Sequence, residues 1–556
     1  MLLRTSLFVI LCAFVALTIS IAYPAGKAQT VKAPPEPSDP VWWLSRVDEM
    51  LNDVEDDPCG DKDEIIGDLV ASKIRAGMFA EAANSARQLD GFDRAWTLCQ
   101  VAVGEAEAGL YADAWDLRKE IERDLFKVRI AIAIAKSQAA HGKRDDAVKT
   151  FAGALDEANI EPNDDDKSTM LSEIAEAQAS AGFFDDAMKT AKGLQSNAHI
   201  LRHIALLHAS AGRIKQALAV ADEIKVVDAE SNSMKMACLL GIAEKQQETG
   251  DHKGAVKTYD AAKALVPPNA DGSMPAAGSW DIIDTATRLG LFGEAKDIVR
   301  RIQCEDGEPI DGKIRALSEI AAAEASAGKN TDARQTILDA LAYSRKVQDK
   351  DREYMLQDSF TQLLGVMVIA EVDDETWDRA RAIMADVVSD DVVNRFIVEK
   401  TIRRGDIDQA LATAKKIKDG KNAIEAYCVI AEAQFQRGDK KGAGDALDAA
   451  IKVFKDGEGA CDCDDWVLRG IVDTCARVGM VGKALDAWKE ISLMGCYIED
   501  VGEAIGKTGR ADEAQKILEL MRDESPDVRA KFCIGVARAL LDRKEQARIS
   551  AELLSH

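Results

Sequence analysis

Seven acidic residues recur at one position relative to a glycine, six residues before it. Carboxylates at the same position of stacked repeats form a negatively charged column, which suits basic peptide segments or cations. These residues are the first candidates for a binding site. They are Glu176, Glu244, Asp284, Glu399, Glu432, Asp473 and Glu503.

Four of these acids have a basic residue one helical turn later. The pairs are Asp284 with Arg288, Glu399 with Arg403, Asp473 with Arg477, and Glu503 with Lys507. An acid four residues before a base supports a helix by about 0.2–0.5 kcal/mol, so ordinary helix stabilisation is the alternative to a binding column. Glu176, Glu244 and Glu432 lack such a base and represent the column best.

A second cluster contains basic and imidazole side chains. His199, Arg202 and His203 lie within five residues of a chain that has 6 His. His199 and His203 have a spacing that can hold one metal ion, but no third ligand is apparent, so we predict neither a metal nor a cofactor. The cluster is a candidate binding patch, and packing or a polar edge is the alternative.

Aromatic residues lie near the starts of several predicted helices, as Trp96, Trp280 and Trp466. An exposed Trp there could stack on a peptide or a sugar, but packing against the preceding repeat is the favoured interpretation. The sequence contains no phosphate-binding glycine loop, nucleophile elbow or zinc-protease motif. We therefore predict that the protein is not an enzyme.

The cysteines divide between helices and loops. Those in helical patterns replace Ala as small buried residues; they are Cys99, Cys238, Cys428, Cys475, Cys496 and Cys533. Cys59, Cys304, Cys461 and Cys463 lie in predicted loops, where an exported protein can oxidise them. Cys461 or Cys463 could bridge to Cys496, but the sequence leaves the pairing open.

Glycines with an alanine five residues later set the spacing of these candidates. A glycine allows the positive φ that often ends a helix, and a small Ala allows two helices to cross closely. We call each glycine a pivot. The pivots are Gly77, Gly109, Gly142, Gly182, Gly212, Gly250, Gly290, Gly328, Gly405, Gly438, Gly479 and Gly509. Asp or Asn shortly after a pivot is expected to cap the second helix, for example Asp185 and Asp186 after Phe184, and Asp439 after Gly438.

Two degenerate copies lack the glycine. One lies at 355–390, around Trp377 and Ala380, and the other ends the sequence with Asp542 as pivot and Ala547 five residues on. Each copy predicts a further helix-turn-helix unit. A repeated unit of this kind cannot bury its apolar face alone, so stacking of neighbours must supply the core.

The pattern resembles the tetratricopeptide repeat, a family with helix pairs of 34 residues and a turn glycine. The resemblance covers residues 46–555 and extends to two further small positions. Twelve residues after the pivot lie Ala154, Ala262, Ala340 and Ala450, and seven before it lie Ala135, Ala175, Ala205, Ala243, Ala321 and Ala431. The pivot spacing is irregular, and the family's large aromatic residues at the start of the first helix are mostly missing.

The resemblance implies an all-α fold, an α-solenoid of about 13–14 repeats that form a right-handed superhelix of irregular repeat length. Ligands of this family usually lie on the concave face, which the first helix of each pair lines. The seven acids and the cluster of His199, Arg202 and His203 would face that groove. The Asn partners of the family's carboxylate clamp are not found, so that ligand class is not supported.

The sequence divides into five segments. Residues 1–22 read as a signal peptide, residues 23–45 as a proline-rich linker, and residues 46–345 as an N-terminal array. Residues 346–395 form the degenerate repeat, where we expect a bend, and residues 396–556 form a C-terminal array.

An export signal is predicted from the positive start and the apolar run at 5–22, with small residues at Ser20 and Ala22. An uncleaved membrane anchor is the alternative, because the run is about 18 residues long. In both cases the rest of the chain lies outside the cytoplasm, in the periplasm or secreted.

Composition restricts the partner. The chain has 556 residues, 47% of them hydrophobic, and a net charge of −25. A polyanion repels nucleic acids and anionic lipid headgroups, so a protein or peptide partner with basic segments is favoured. The alternative is that the acidic charge only keeps a long array soluble.

The leading hypothesis is an exported scaffold that binds a protein or peptide through the concave face of the solenoid. The alternative is an all-helical enzyme or carbohydrate-binding protein of the cell envelope, which would need inward-facing carboxylates in a closed toroid. The repeat length and the Gly/Ala turn argue against closure. A purely structural role in an envelope assembly is a third possibility.

Overall fold

The computed structural model describes residues 36–54, 61–194, 196–302, 308–344, 353–384, 388–456, 465–480, 482–483, 498–522 and 524–555. The predicted signal peptide and loop cysteines therefore lie outside the described residues. Within them the fold is all-α, without strands, and Met274 and Ile302 form a single isolated bridge.

The described residues form 27 helices. The helices up to the eleventh are α1 Pro40–Leu51, α2 Asp61–Arg75, α3 Phe79–Ala86, α4 Gly91–Glu107, α5 Tyr111–Arg118, α6 Asp124–Ala140, α7 Arg144–Ile160, α8 Asp164–Ser180, α9 Phe184–Lys192, α10 Ala198–Ser210 and α11 Ile214–Glu223. The next are α12 Ala229–Glu248, α13 His252–Lys263, α14 Ser279–Arg288, α15 Phe292–Arg301, α16 Glu308–Ser326, α17 Asn330–Ser344, α18 Glu353–Ile369 and α19 Asp374–Met384. The last are α20 Asp390–Arg403, α21 Ile407–Ala414, α22 Gly420–Gln436, α23 Lys440–Asp456, α24 Asp465–Arg477, α25 Ile498–Thr508, α26 Ala511–Leu520 and α27 Pro526–Ser555.

Most helices pair into tetratricopeptide-like hairpins around the pivots. We call the helix before a pivot the A helix and the helix after it the B helix. All twelve pivot glycines have φ between 71° and 92°, which confirms that each ends its A helix in the left-handed region. The alanine five residues later is fully buried in every described case; these are Ala82, Ala114, Ala147, Ala187, Ala217, Ala255, Ala295, Ala333, Ala410, Ala443 and Ala514.

The degenerate repeat around Trp377 forms a hairpin without glycine. Glu371 takes the pivot position between α18 and α19 with φ of 49°, and among the described residues no other non-glycine residue has positive φ. Thr376, five residues later, is buried in place of the usual Ala. The bend expected at 346–395 stays a prediction, because residues 345–352 and 385–387 lie outside the described residues.

The chain divides into two compact units. The first contains residues 1–200 and 495–556, and the second contains residues 201–494. These limits differ from the two arrays proposed from the sequence, because the last helices join the first unit. Helix α1 also begins inside the segment assigned to the linker, at Pro40, where Asp39 caps it through a 3.2 Å bond from the Val41 amide.

The apolar core lies between A and B helices and between neighbouring hairpins. In the first unit Val128 and Ala131 of α6 and Phe151 of α7 pack with Met170 and Ile174 of α8. Small residues let the helix axes approach closely, as the Ala pattern predicts. No helix in the described ranges is long and apolar enough to cross a membrane.

Helix α27 packs against helices from both segments of the chain that make up the first unit. It contacts α25 on one side, and α1 and α2 on the other. The buried Trp43 ring of α1 lies edge-on to Phe532, with 6.2 Å between centroids. Arg538 binds Asp68 of α2 at 2.6 Å. The sequence does not predict this arrangement, because no local pattern links helices that are more than 400 residues apart in the chain.

The predicted turn at Asp542 does not form. Helix α27 runs without interruption through this residue, and Ala547, predicted as a buried packing residue, is exposed. The B-helix position next to α27 is occupied by α1 in this structure. The predicted final hairpin is therefore wrong as a continuous unit.

Capping follows the predicted rule at some pivots only. Asp439, after Gly438, accepts a 2.8 Å hydrogen bond from the Gly442 amide. After Gly182, by contrast, Asp185 and Asp186 lie inside the first turn of α9, and its N-cap is Phe183 without a side-chain bond. There the acids act on the positive end of the helix dipole rather than as caps.

Candidate functional site

The seven candidate acids all lie on A helices but are divided between the two units. Glu176 and Glu503 belong to the first unit, and the other five belong to the second. Asp284 binds Arg288 at 2.6 Å, and Glu503 binds Lys507, so these two pairs form as predicted. Asp473 is half-buried on α24.

Two of the acids that have no base one turn later are bound by an arginine from the next hairpin. Glu244 accepts a 2.9 Å contact from Arg288, and Glu432 accepts a 2.6 Å contact from Arg477. Burial raises the pKa of Glu244, while Arg288 opposes the rise. Glu244 and Glu432 therefore each form an ion pair with the next hairpin, although neither has a base one turn later on its own helix.

Glu399 differs from its neighbours in the second unit. Within the described ranges it forms no ion pair, so the predicted bridge to Arg403 is not made. Arg395, one turn earlier, is bound to Glu425 of the next A helix. Burial raises the pKa of Glu399 although Arg395 and Arg403 lower it. Glu399 is a half-buried carboxylate with basic residues on its own helix, which fits helix support better than capture of a cation.

The first unit contains a polar groove between α8 and α10. It is a cavity of about 420 Å³ lined by Asp165, Ser168, Thr169, Ser172, Glu173, Glu176 and His199. We call these residues the α8 groove. Two predictions meet here, because Glu176 comes from the acidic set and His199 from the basic patch.

The charges in the α8 groove are unequally compensated. Glu173 binds Arg129 of α6 through two guanidinium nitrogens, at 2.6 Å and 3.0 Å. Glu176 forms no ion pair within the described part of the chain. Because the surrounding groups are mostly hydroxyl and carboxylate groups, the open Glu176 carboxylate leaves the groove a net acceptor site. Such a site suits a Lys or Arg side chain.

Exposed aromatic rings lie next to Arg129 on the same side of the first unit. Phe92 is 54% exposed and Trp96 is 38% exposed, both on α4. Their rings each lie 5.6 Å from the buried Phe126 ring, and the Arg129 guanidinium lies 5.7 Å from the Trp96 ring. Arg129 therefore links the aromatic surface to Glu173 at the edge of the α8 groove.

The other predicted tryptophans do not form such a surface. Trp280 is half-buried and lies against α16, where a Cβ atom at Gly312 would stand 2.7 Å from its ring. Trp280 is therefore a packing residue, but it packs against the following repeat rather than the preceding one. The side chain of Trp466 lies outside the described residues. Of the three, the structure exposes Trp96.

The three residues of the predicted basic patch all lie on α10, and the boundary between the two units falls among them. His199 belongs to the first unit, and Arg202 and His203 belong to the second. Arg202 is half-buried, and its Nε atom is buried without a hydrogen-bond partner. Its charge opposes the burial that raises the pKa of Cys238 to about 12. Across the described ranges no three His, Cys, Asp or Glu residues are placed to hold a metal ion.

The buried cysteines are chemically inert. Burial raises the pKa of Cys99 and Cys533 to about 12, and the same holds for Cys428 and Cys475. A thiol with so high a pKa supplies almost no thiolate at neutral pH, so these residues are packing groups as predicted.

Sequence reasoning missed a polar pair inside the hairpins. A residue four before the pivot bonds a residue eight after it, as Gln138 does with Thr150 at 2.9 Å and Gln246 with Thr258 at 2.7 Å. The signal was a Gln and a Thr separated by 12 residues across three of the pivots, Gly142, Gly182 and Gly250. Gln178 with Thr190, Glu324 with Thr336 and Lys73 with Ser85 repeat the contact.

Two of the hairpins with Glu or Gln four residues before the pivot lack the hydroxyl partner. Leu117 takes its position in the hairpin of Glu105, and Ala446 takes it in the hairpin of Gln434. Glu105 Oε2 and Gln434 Oε1 are consequently buried without a hydrogen-bond partner. Burial raises the pKa of Glu105 to about 7, with Asp113 adding to the rise.

Comparisons with known proteins bear on the fold alone. No protein-family model matches the chain, and no curated protein matches it. Ton1535 from Thermococcus onnurineus NA1 shares 15% identity over 79% of this chain and 99% of its own, with a TM-score of 0.22.

Two further solved structures are similar at the same level. Naa15/Naa10 bound to HypK-THB shares 13% identity over 89% of this chain and 81% of its own, with a TM-score of 0.34. The pentatricopeptide repeat protein PPR10 from maize shares 15% identity over 98% and 88%, with a TM-score of 0.25. Scores this low carry no argument about function. By the geometry of its own turns and hairpins, the chain is a tetratricopeptide-like helical-repeat protein.

Proposed function

We propose that the protein is a non-enzymatic scaffold that binds a basic segment of a partner protein on the A-helix side of its first unit. The observation that carries the proposal is the adjacency of two surfaces. Phe92 and Trp96 form an exposed aromatic surface, and Arg129 joins it to the α8 groove through Glu173.

The composition of this side suits protein recognition. Tryptophan and arginine are enriched among the residues that contribute most to interface energy, particularly where polar groups surround them. Trp96 and Phe92 supply apolar area, and Arg129 is already fixed by Glu173, so little side-chain entropy is lost on binding.

Charge determines the kind of partner. Glu176 has no ion pair in the described structure, and Asp165 lies on the same groove. A Lys or Arg side chain entering the groove would gain charge-assisted hydrogen bonds. The net charge of −25 adds long-range attraction for a basic partner and repulsion for RNA or DNA.

The second unit is a weaker candidate. Glu244, Asp284 and Glu432 are compensated by arginines. A ligand would have to displace those contacts, so the proposal uses the groove with the uncompensated acid.

We also propose that the protein is exported from the cytoplasm. The positive start and apolar run at 1–22 support secretion, and the prolines that follow support an extended spacer before α1. N-terminal sequencing of the protein recovered from the envelope and medium tests this point. A mature chain that begins near residue 23 agrees with a cleaved signal, an intact start in membranes indicates an anchor, and an intact start in the cytoplasm contradicts export.

Photo-crosslinking tests the binding proposal. In the full chain, a photoreactive amino acid replaces either Gln100, one helical turn after Trp96 on α4, or Ser172 in the α8 groove. The matched control carries the same amino acid in place of Asp185 on the B helix α9. We expect specific protein adducts from Gln100 and Ser172 and none from Asp185. Adducts with RNA or glycans, or equal protein adducts from all three positions, would argue against the proposal.

A further inference from the structure

Helix α1 occupies a B-helix position that belongs to α27. Its buried residues Pro40, Leu44, Val47 and Leu51 have the spacing of Ala147, Phe151, Ala154 and Ala158 on the B helix α7. The last A helix is thus paired with a B helix from the other end of the described chain. We call the surface of α27 and α2 that α1 covers the α1 slot.

Helix α27 is an A helix as far as Asp542. Gly535 lies seven residues before Asp542, where other A helices have a small residue, and a Cβ atom there would stand 2.0 Å from the Glu499 carbonyl of α25. Arg538 connects α27 to both neighbouring A helices, through Glu499 of α25 and Asp68 of α2. The A-helix contacts of the hairpin are therefore complete.

Residues 543–555 carry the pattern of a second B helix for the same slot. Ala547, Ala551 and Leu554 follow Asp542 by the intervals at which Ala147, Phe151 and Ala154 follow Gly142. In eleven described hairpins an alanine at the first of these positions is fully buried. Here Ala547 and Ala551 are exposed.

We propose that the α1 slot is a binding site for one amphipathic B-type helix with two alternative occupants, α1 and residues 543–555. The first occupant leaves α27 continuous. The second requires the chain to turn at Asp542 and fold back along α27. The two states exclude each other, because each fills the same apolar positions.

The turn is feasible at Asp542. It needs one residue with positive φ, and Asp is enriched several-fold among the non-glycine residues that adopt this conformation. Glu371 shows that a non-glycine residue already serves as pivot in this chain, with φ of 49°. Asp542 is held in the helical state by an ion pair with Arg75 of α2.

Specific contacts favour α1 as the occupant. Trp43 is fully buried against Phe532, and its indole Nε1 donates a 2.7 Å hydrogen bond to the Pro37 carbonyl. Asp48 binds the buried Lys73 at 2.6 Å, and Asp39 binds Lys544 at 3.1 Å. Residues 543–555 have no residue of the size of Trp43 to fill this space. Loss of the contacts that hold α1, or a substitution that lowers the free energy of the turn at residue 542, should therefore replace α1 with residues 543–555 in the α1 slot.

Two substitutions at Asp542 in the full chain test the proposal. Asp542→Gly and Asp542→Ala both remove the ion pair with Arg75, but glycine makes the turn easier and alanine favours the continuous helix. Amide hydrogen exchange is followed in α1 and in 543–555. With Asp542→Gly we expect exchange of α1 to become about tenfold faster and exchange of 543–555 to become slower, while Asp542→Ala leaves α1 protected.

A second pair combines these changes with Trp43→Ala, which removes the anchor of α1. We expect 543–555 to gain protection in Trp43→Ala/Asp542→Gly and not in Trp43→Ala/Asp542→Ala. Equal exchange in the two Asp542 variants would overturn the proposal. So would release of α1 without protection of 543–555, or protection that appears only in a dimer seen by native mass spectrometry.

Discussion

Glu105 is a carboxyl group at a position where other hairpins bury a hydrogen-bonded polar pair. Burial and the nearby Asp113 raise its pKa from 4.5 to about 7, against the effect of Arg87. Between these pH values the folded chain binds more protons at this site than the unfolded chain does. The contribution of Glu105 to stability is therefore present below pH 4.5 and is lost as the pH rises through about 7.

The substitution Glu105→Gln tests this pH dependence. Glutamine occupies the same position in several hairpins and does not titrate. We expect the variant to gain about 2 kcal/mol of stability relative to the native chain between mildly acidic and mildly alkaline pH. Denaturant unfolding of both proteins across this range measures the difference. A difference that stays constant with pH would show that Glu105 ionises as an exposed carboxyl does.

Gln434 offers a second test at the residue scale. Its Oε1 atom is buried without a partner because Ala446 replaces the usual hydroxyl residue. Ala446→Thr should restore the hydrogen bond seen between Gln246 and Thr258, and Ala446→Val has nearly the same volume without the hydroxyl. We expect Thr to be more stable than Val by about 1 kcal/mol in denaturant unfolding. A Val variant more stable than the Thr variant would contradict the inference that these two positions form a hydrogen-bonded pair.

Ion pairs within one helix could be predicted from the sequence, whereas ion pairs between hairpins could not. The spacing of Asp284 and Arg288 predicts their ion pair, because both lie on one helix. The contact between Arg288 and Glu244 was missed, because it joins two hairpins whose distance in space the sequence does not give. The sequence shows that Glu176 has no base one turn later, but only the structure brings its neighbours His199 and Glu173 together in one groove.

Among the elements, the close packing of α25 and α27 depends on glycine. A Cβ atom at Gly535 would stand 2.0 Å from the Glu499 carbonyl oxygen and 2.8 Å from the Glu503 nitrogen, both rigid backbone atoms. Gly535→Ala must separate the two helices and should cost about 1–3 kcal/mol.

The matched control is Gly153→Ala on α7, where a Cβ atom would meet nothing within 4 Å. Because alanine favours helices over glycine, this variant should be more stable by about 0.5–1 kcal/mol. Thermal unfolding of both variants measures the opposite shifts. Equal shifts would mean that α25 and α27 do not rely on contact between their backbones.

Hairpins were predictable wherever a glycine and an alanine mark the turn. The rule also placed a unit around Trp377, although Glu371 rather than a glycine provides the positive φ. It failed at Asp542, because the pattern of 543–555 is suitable for a B helix but α1 holds that position. Local pattern specifies what a segment can form, and competition between distant segments decides what it does form.

In the whole molecule, the acidic charge and the exposed aromatic surface would contribute in different ways to binding of a basic partner. The net charge of −25 attracts basic partners from a distance, which mainly affects the association rate. Phe92, Trp96 and the α8 groove supply the short-range contacts. The sequence indicated the sign of the charge and Trp96 as a candidate, but the exposure of Trp96 beside Arg129, which binds Glu173 of the α8 groove, required the structure.

Binding of a basic peptide tests whether the α8 groove recognises a basic segment. A peptide of alternating Lys and Leu, with a matched Glu and Leu peptide, is titrated calorimetrically into the full chain and into two charge-reversal variants. Glu176→Lys changes the groove, and Asp185→Lys makes the same charge change on the B helix of the same hairpin.

We expect the native chain to bind the Lys peptide and not the Glu peptide. Glu176→Lys should weaken binding by about tenfold or more, equal to about 1.4 kcal/mol, and Asp185→Lys should leave it nearly unchanged. Equal weakening by both substitutions, or no binding of the Lys peptide to the native chain, would contradict recognition of a basic segment in the α8 groove.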